Sequence, residues 1–264
     1  MSYEFLNVEK RTGYAVVTID RGDGINALSR QLMRELIAAA ESFIDDLDTT
    51  AIILTGTQKV FSAGADLKDP EGNTNQNGRL IERRHALKIG PDMCRAWEKL
   101  EQVTICAIEG FCLGGGSALS LACDWRIAGK SSHMRLPEIP LAMNMSWHSI
   151  PRLVRAVGPS RAKLYTILGE RLYAPEALDW GLVDFMMEDG RALDKAVELA
   201  EKVAVLPPIS VRMSKESINM TANALNQATS YMDRDQFMLS SSGTDFPEAV
   251  SAFMEKRAPK FDGG

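Results

Sequence analysis

Along the first 148 residues of the chain, short apolar runs alternate with segments of helical period, and helical spacing then takes over. Phe5 to Glu9 alternates apolar and polar side chains, the mark of a half-buried strand. After a turn at Thr12-Gly13, Tyr14 to Asp20 is rich in β-branched residues and is predicted as a second strand. Gly22 and Gly24 break it. Ser29 is then placed to N-cap a helix over 30–47, with Leu32, Met33, Leu36, Ile37 and Ala40 on one face. Ala51 to Gly56 is almost wholly apolar, as a strand covered on both faces must be. A second cycle adds a strand at 103–108, a helix at 117–123 and a strand at 125–128. Strands interleaved with helices predict an α/β fold.

Between the cycles, Asp69 to Gly78 is polar and holds Pro70 and Gly72, so it reads as a surface segment: a lid or binding loop, with plain disorder as the alternative. Beyond residue 148, helical pieces at 148–157, 160–168 and 175–180 are punctuated by Gly158-Pro159, Gly169 and Gly181. An amphipathic helix over 193–206 stops at Pro207-Pro208. Helical spacing then continues over 209–257, with a break near Ser242-Gly243-Thr244. The organisation expected is an α/β core over 1–205 followed by a helical region over 206–264. Amphipathic helices too few to enclose a core pack against something else, often a second copy of the chain.

Composition acts mainly by exclusion. The 264 residues are 45% hydrophobic and 25% charged, as in ordinary globular proteins. Lys+Arg 30 against Asp+Glu 35 leaves a formal charge of −5, without the basic stripe of a nucleic-acid binder. No apolar run approaches the ~20 residues of a membrane span, and the first residues lack a signal-peptide pattern. A cytoplasmic protein with neither a nucleic-acid nor a membrane partner is therefore expected. Cys94, Cys106, Cys112 and Cys123 form no C-x-x-C pair and read as reduced core thiols. His85, His133 and His148 lie far apart, so no metal site is expected.

Two loops of small residues carry candidate chemistry: Phe61-Ser62-Ala63-Gly64-Ala65-Asp66-Leu67, and Gly110-Phe111-Cys112-Leu113-Gly114-Gly115-Gly116-Ser117-Ala118-Leu119. Small residues where strands hand over to helices let backbone N–H groups face outward at a helix's positive end. A pair of them can form an oxyanion hole, in which one donor is typically worth ~3–4 kcal/mol in the transition state. A Gly-Gly-Gly also serves as a plain tight turn, and neither loop has the order of a dinucleotide or P-loop motif. Glu138, in Leu136-Pro137-Glu138-Ile139-Pro140-Leu141, has neighbours that would desolvate a carboxylate and raise its pKa toward general acid/base use. A solvated turn glutamate is the alternative. Ser117 and His148 lack the elbow and the acidic partner of a hydrolase triad. Asp66 and Asp124 suit the side-chain-to-backbone bonds that fix loops.

Taken in order, these segments resemble the enoyl-CoA hydratase/isomerase (crotonase) family. Asn26-Ala27-Leu28-Ser29 resembles its N-A-L-S, Phe61 to Leu67 its F-x-A-G-A-D-L, and Ala107 to Gly116 its A-I-x-G-x-x-x-G-G-G. Cys123-Asp124, with Glu138 placed 14 positions after Asp124, is similar to its C-D…P-E register. Gly181-Leu182-Val183-Asp184 and the tail Ala252 to Phe261 continue the match. The resemblance implies a crotonase-like spiral of repeated ββα units, with a helical C-terminal region that builds homotrimers or homohexamers. It also implies an acyl-CoA thioester substrate, and no cofactor beyond the coenzyme A which that substrate carries. By position, the N–H groups of Ala65 and Gly115 would hold the thioester oxygen as an enolate forms, beside Glu138. Ala63, Asp66, Leu67, Lys68 and Gly114 would lie along the bound CoA ester, and 69–90 would border the acyl pocket.

Two departures shape the functional expectation. The family's hydratases usually carry a further glutamate just after the glycine loop, and here that position is Ala118. One carboxylate suffices to move a proton between two carbons, so a double-bond isomerase using Glu138 is the first expectation. A hydratase of an unusual, aromatic or branched, enoyl-CoA is the alternative; a thioester hydrolase and a non-catalytic acyl-CoA-binding or assembly subunit follow. The second departure is Met143-Asn144-Met145-Ser146-Trp147-His148, much bulkier than the family's P-x-x-G-G-like turn. It would reshape the acyl pocket or cover the missing carboxylate's space, unless Met143, Met145 and Trp147 are simply core. His148 is a minor candidate for an auxiliary acid.

Overall fold

The computed structural model describes residues 2–71 and 78–264. Leu6–Arg11 (β1) and Tyr14–Ile19 (β2) form an antiparallel pair. Ala51–Thr55 (β3), Val103–Ile108 (β4), Trp125–Gly129 (β6) and Phe185–Met187 (β9) extend it in parallel, giving the order β1-β2-β3-β4-β6-β9. A second sheet joins Phe111–Leu113 (β5), His133–Arg135 (β7) and Leu172–Tyr173 (β8) in the order β5-β7-β8. This is the expected α/β architecture.

Both faces of the larger sheet are covered, which explains the unbroken apolar run of β3. Ile52 and Leu54 face one way, into a core with Leu32 and Leu36 of Arg30–Glu41 (α1) and with Met93, Cys94 and Trp97 of Ile89–Glu98 (α3). Ile53 faces the other way, against Ala192, Ala196 and Ala200 of Ala192–Ala204 (α7). Alternating side chains thus serve two cores at once. Trp97, fully buried, satisfies its indole N–H on Leu36 O at 3.1 Å. All four cysteines are free and buried.

Several expectations need correction. α1 ends at Glu41 rather than near 47; the Ser42 N–H closes it, and Asp46 then caps the turn by accepting from the N–H groups of Asp48 and Thr49. The helix expected at 117–123 starts two residues earlier, as Gly115–Leu121 (α4). Leu80–Ala86 (α2), α3, β5, β7, β8 and β9 had no counterpart in the pattern. The pieces expected at 148–157 and 160–168 are both present within Ser149–Leu168 (α5), as two helical segments separated at a kink where Gly158 leaves helical geometry at φ 76° and ψ 164°, as the Gly158-Pro159 break implied. After Ala174–Trp180 (α6) and α7, the tail comprises Pro208–Ala222 (α8), Asn226–Ser230 (α9), Asp233–Ser240 (α10) and Asp245–Glu255 (α11). Residues 72–77 of the expected loop lie outside the described residues. Among the described residues, no helix is long and apolar enough to cross a membrane.

Candidate active site

Backbone pairing joins the two small-residue loops. Phe61 N and Ser62 N donate to Phe111 O, and Leu113 N donates to Ser62 O at 2.9 Å. The Ser62 hydroxyl donates to Asn26 O at 2.7 Å and accepts from Gly64 N at 3.1 Å. Leu28 braces the same loop from the other side, donating to Gly64 O and accepting from Asp66 N. The Asn-Ala-Leu-Ser segment therefore acts as a brace for the loop that follows β3. Gly64, at φ +86°, lies so close to the second loop that a Cβ there would sit 2.7 Å from Leu113 O and 3.1 Å from Gly115 N. Only glycine permits that approach.

Ala65 and Gly115 consequently border one cavity, of about 180 Å³, together with Glu138. Gly115 opens α4, where the first N–H groups have no intrahelical acceptor. No described residue accepts from the N–H of Ala65 or of Gly115. Two unengaged donors thus border one space.

Glu138 precedes a single 3-10 turn, Ile139–Leu141, which closes on Ala142 in the left-handed region. Its carbonyl accepts from Leu141 N and Met143 N, so the turn holds its backbone. The side chain points inward: Oε2 is buried with no hydrogen-bond partner. Oε1 lies 2.7 Å from where a Cβ on Gly114 would be. Burial pushes the carboxyl pKa up to about 7, against the opposing pull of its own backbone N–H and of Arg135. The solvated-turn alternative is not what the structure shows.

The remaining predicted residues divide. Asp66 and Leu67 line the cavity, but the Asp66 carboxylate is engaged with Arg21 at 2.7 Å and with Lys68 N at 2.9 Å. Gly114 backs Glu138, whereas Ala63 and the exposed Lys68 are not part of the cavity wall. Ala118 is buried in α4 and is not part of the cavity wall. Ser117 donates its hydroxyl to Cys112 O at 2.7 Å, a structural bond. His148 lines a separate cleft with Arg95 and Glu98, and burial pushes its pKa down to about 4, so it offers no acid beside Glu138. Asp124 fixes a loop, accepting from Thr104 N and pairing with Lys215.

Other wall residues escaped the sequence reading. Arg30 donates to Ala86 O, and its N–H is held by Asp69. Arg234 and Phe237 reach the cavity from α10, and no local pattern marks residues so far along the chain. A larger cavity, about 660 Å³, lies between α8 and the core and contains none of Ala65, Gly115 and Glu138. All three border the smaller one.

Against known proteins, the sequence profile described as enoyl-CoA hydratase/isomerase matches residues 9–264. The chain belongs to that family. A probable enoyl-CoA hydratase of Rhizobium meliloti is 34% identical over 264 residues, covering 99% of both chains. A short-chain-enoyl-CoA hydratase of Clostridium acetobutylicum is 34% identical, over 95% of this chain and 94% of its own. A solved enoyl-CoA hydratase/isomerase from Pseudoalteromonas atlantica superposes with a TM-score of 0.86 at 31% identity, over 98% of this chain and all of that one. This crotonase-family chain is thus an enoyl-CoA hydratase/isomerase family enzyme, and the family implies an acyl-CoA substrate.

Proposed function

We propose that this crotonase-family protein is an enoyl-CoA hydratase working through a thioester enolate, with Glu138 as its only acid/base. One observation carries the reading: a buried carboxyl poised near neutrality shares a cavity with two unengaged N–H groups. The thioester oxygen accepts from Ala65 and Gly115, whose hydrogen bonds strengthen as that oxygen gains charge. Ionised Glu138 takes a proton from a water that adds at the β-carbon, and returns a proton to the α-carbon as the enolate collapses. The net change is one water across the double bond. Relatives named as hydratases support this reading and move it ahead of isomerisation, the first expectation from the sequence.

Isomerisation stays as the second reading on a specific observation. Ala118 supplies no carboxylate, and the other acids on the cavity wall are occupied: Asp66 by Arg21, Asp69 by the N–H groups of Arg30 and Glu71. Ala63, Asp66, Leu67, Lys68 and Gly114 are assigned to the CoA ester by family position. The tail over 206–264 is assigned to a homotrimer or homohexamer, a role its exposed Ile209, Met213, Met220, Leu225 and Leu239 support. Unbridged buried cysteines fit a reducing compartment such as the cytoplasm.

Mass spectrometry of short 2-enoyl- and 3-enoyl-CoA after incubation in D₂O tests the chemistry. Addition of a water's mass is the expected result. Deuterium uptake with a shifted double bond and no added water selects isomerisation instead. Release of free CoA means hydrolysis, and no turnover of either ester overturns both readings.

A further inference from the structure

We propose that Trp147 sets the acyl length this site accepts, by filling the slot between α3 and α4 so that only short acyl thioesters fit. The inference deepens the acyl-CoA reading above and rests on it. The indole lies between two glycines. A Cβ on Gly90 of α3 would fall 2.1 Å from its Cε2, and a Cβ on Gly115 would fall 2.2 Å from its Cζ3. Both glycines therefore present bare backbone to the ring, which occupies the gap between the helices. On one side the ring touches Gly115, which borders the cavity.

The ring is held there against the preference of its own backbone. Trp147 and His148 both adopt left-handed geometry, at φ 62° and φ 57°, which side chains other than glycine rarely take. Strain of this kind persists only where surrounding structure over-determines it. Trp147 O accepts from Arg152 Nη1 at 3.1 Å, and buried Arg152 grips Glu98 of α3 through bonds of 2.8 and 2.7 Å. His148 N donates to Asp233 Oδ2 of α10 at 2.7 Å. Three helices (α3, α5 and α10) thus fix one turn, and its product is the placement of the indole.

Size gives the consequence. The cavity of about 180 Å³ lies below the roughly 300–1,000 Å³ of sites for drug-sized ligands. A space of that size suits a short acyl tail better than a long one. Met33, Met145 and Phe237 add apolar wall around the ring, beside the polar Arg30, Asp69 and Arg234. A longer tail has to pass where the indole stands.

The test compares wild type with Trp147→Ala and Trp147→Phe. Binding of butyryl-, hexanoyl- and decanoyl-CoA is followed by calorimetry, beside kcat/KM for the matching 2-enoyl-CoAs. Wild type is expected to favour butyryl- over decanoyl-CoA by about tenfold or more, the scale on which apolar pockets discriminate. Trp147→Ala should shrink or reverse that ratio by about tenfold, with Trp147→Phe intermediate. A wild type indifferent to chain length overturns the proposal, as does a folded Trp147→Ala protein with an unchanged ratio. If the alanine variant fails to fold, an unchanged ratio in Trp147→Phe is the overturning result. Length-dependent binding without turnover would fail the hydratase reading and leave this one standing; no binding of any acyl-CoA would fail both.

Discussion

At the scale of single residues, the site depends on how burial acts on one carboxyl. Glu138 titrates near 7 rather than at the ordinary 4.5, so its ionised fraction grows through neutrality. Acting first as a base, it should give kcat/KM an ascending limb with an apparent pKa near 7; a flat profile over about pH 5–8 would remove it from that role. The same shift has a cost. The folded state holds the proton more tightly than the unfolded chain, so the stability contribution is full below pH 4.5 and lost as pH rises through about 7. Glu138→Gln is therefore expected to lower turnover by about 10²–10⁴ while leaving the melting temperature at pH 8 unchanged or higher. Retained activity would contradict the assignment. Gly114→Ala probes the same carboxylate from behind: its Cβ would meet Oε1 at 2.7 Å on a backbone at φ +48°. The expected outcome is a fall in kcat with acyl-CoA affinity largely kept, read by steady-state kinetics beside calorimetry.

At the scale of elements, legibility followed how local the determining forces are. β3 and β4 announced themselves because strands covered on both faces are almost wholly apolar, and β2 by its β-branched residues. The start of α1 was readable because its cap is local: Ser29 Oγ accepts from Leu32 N at 3.2 Å. Ser29→Ala should cost about 1 kcal/mol, seen as a melting-temperature drop of about 2–4 °C, and no drop would deny the cap its role. The end of α1 was not readable, since Leu47 continues the apolar spacing while Asp46 turns the chain. β5, β7 and β8 were missed because strands of two or three residues have no period of their own. Their partners, not their sequence, define them. α10 was legible as helical, yet nothing local signalled that Arg234 and Phe237 would reach the cavity.

At the scale of the whole molecule, the tail over 206–264 leaves large apolar side chains in solvent, Ile209, Met220, Leu239 and Phe253 among them. On amphipathic helices, such side chains are what the proposed oligomer would cover. Light scattering should give a mass three or six times the 29.0 kDa of one chain. Truncation before Ser242 should yield smaller and less heat-stable assemblies, and an intact hexamer after truncation would refute the tail's role.

The sequence by itself determined the α/β alternation and the family, because apolar period, glycine turns and small-residue loops are written in adjacent positions. It placed Ala65, Gly115 and Glu138 on three separate segments, without saying that they share a cavity. Tertiary structure decided that: Ser62, Gly64 and Leu28 knit the loops together, and burial moved the Glu138 pKa. It also decided that Trp147, readable along the chain either as core packing or as bulk reshaping the acyl pocket, stands between Gly90 and Gly115. A pKa, a cavity volume and a van der Waals fit depend on neighbours through space, and no local pattern encodes those.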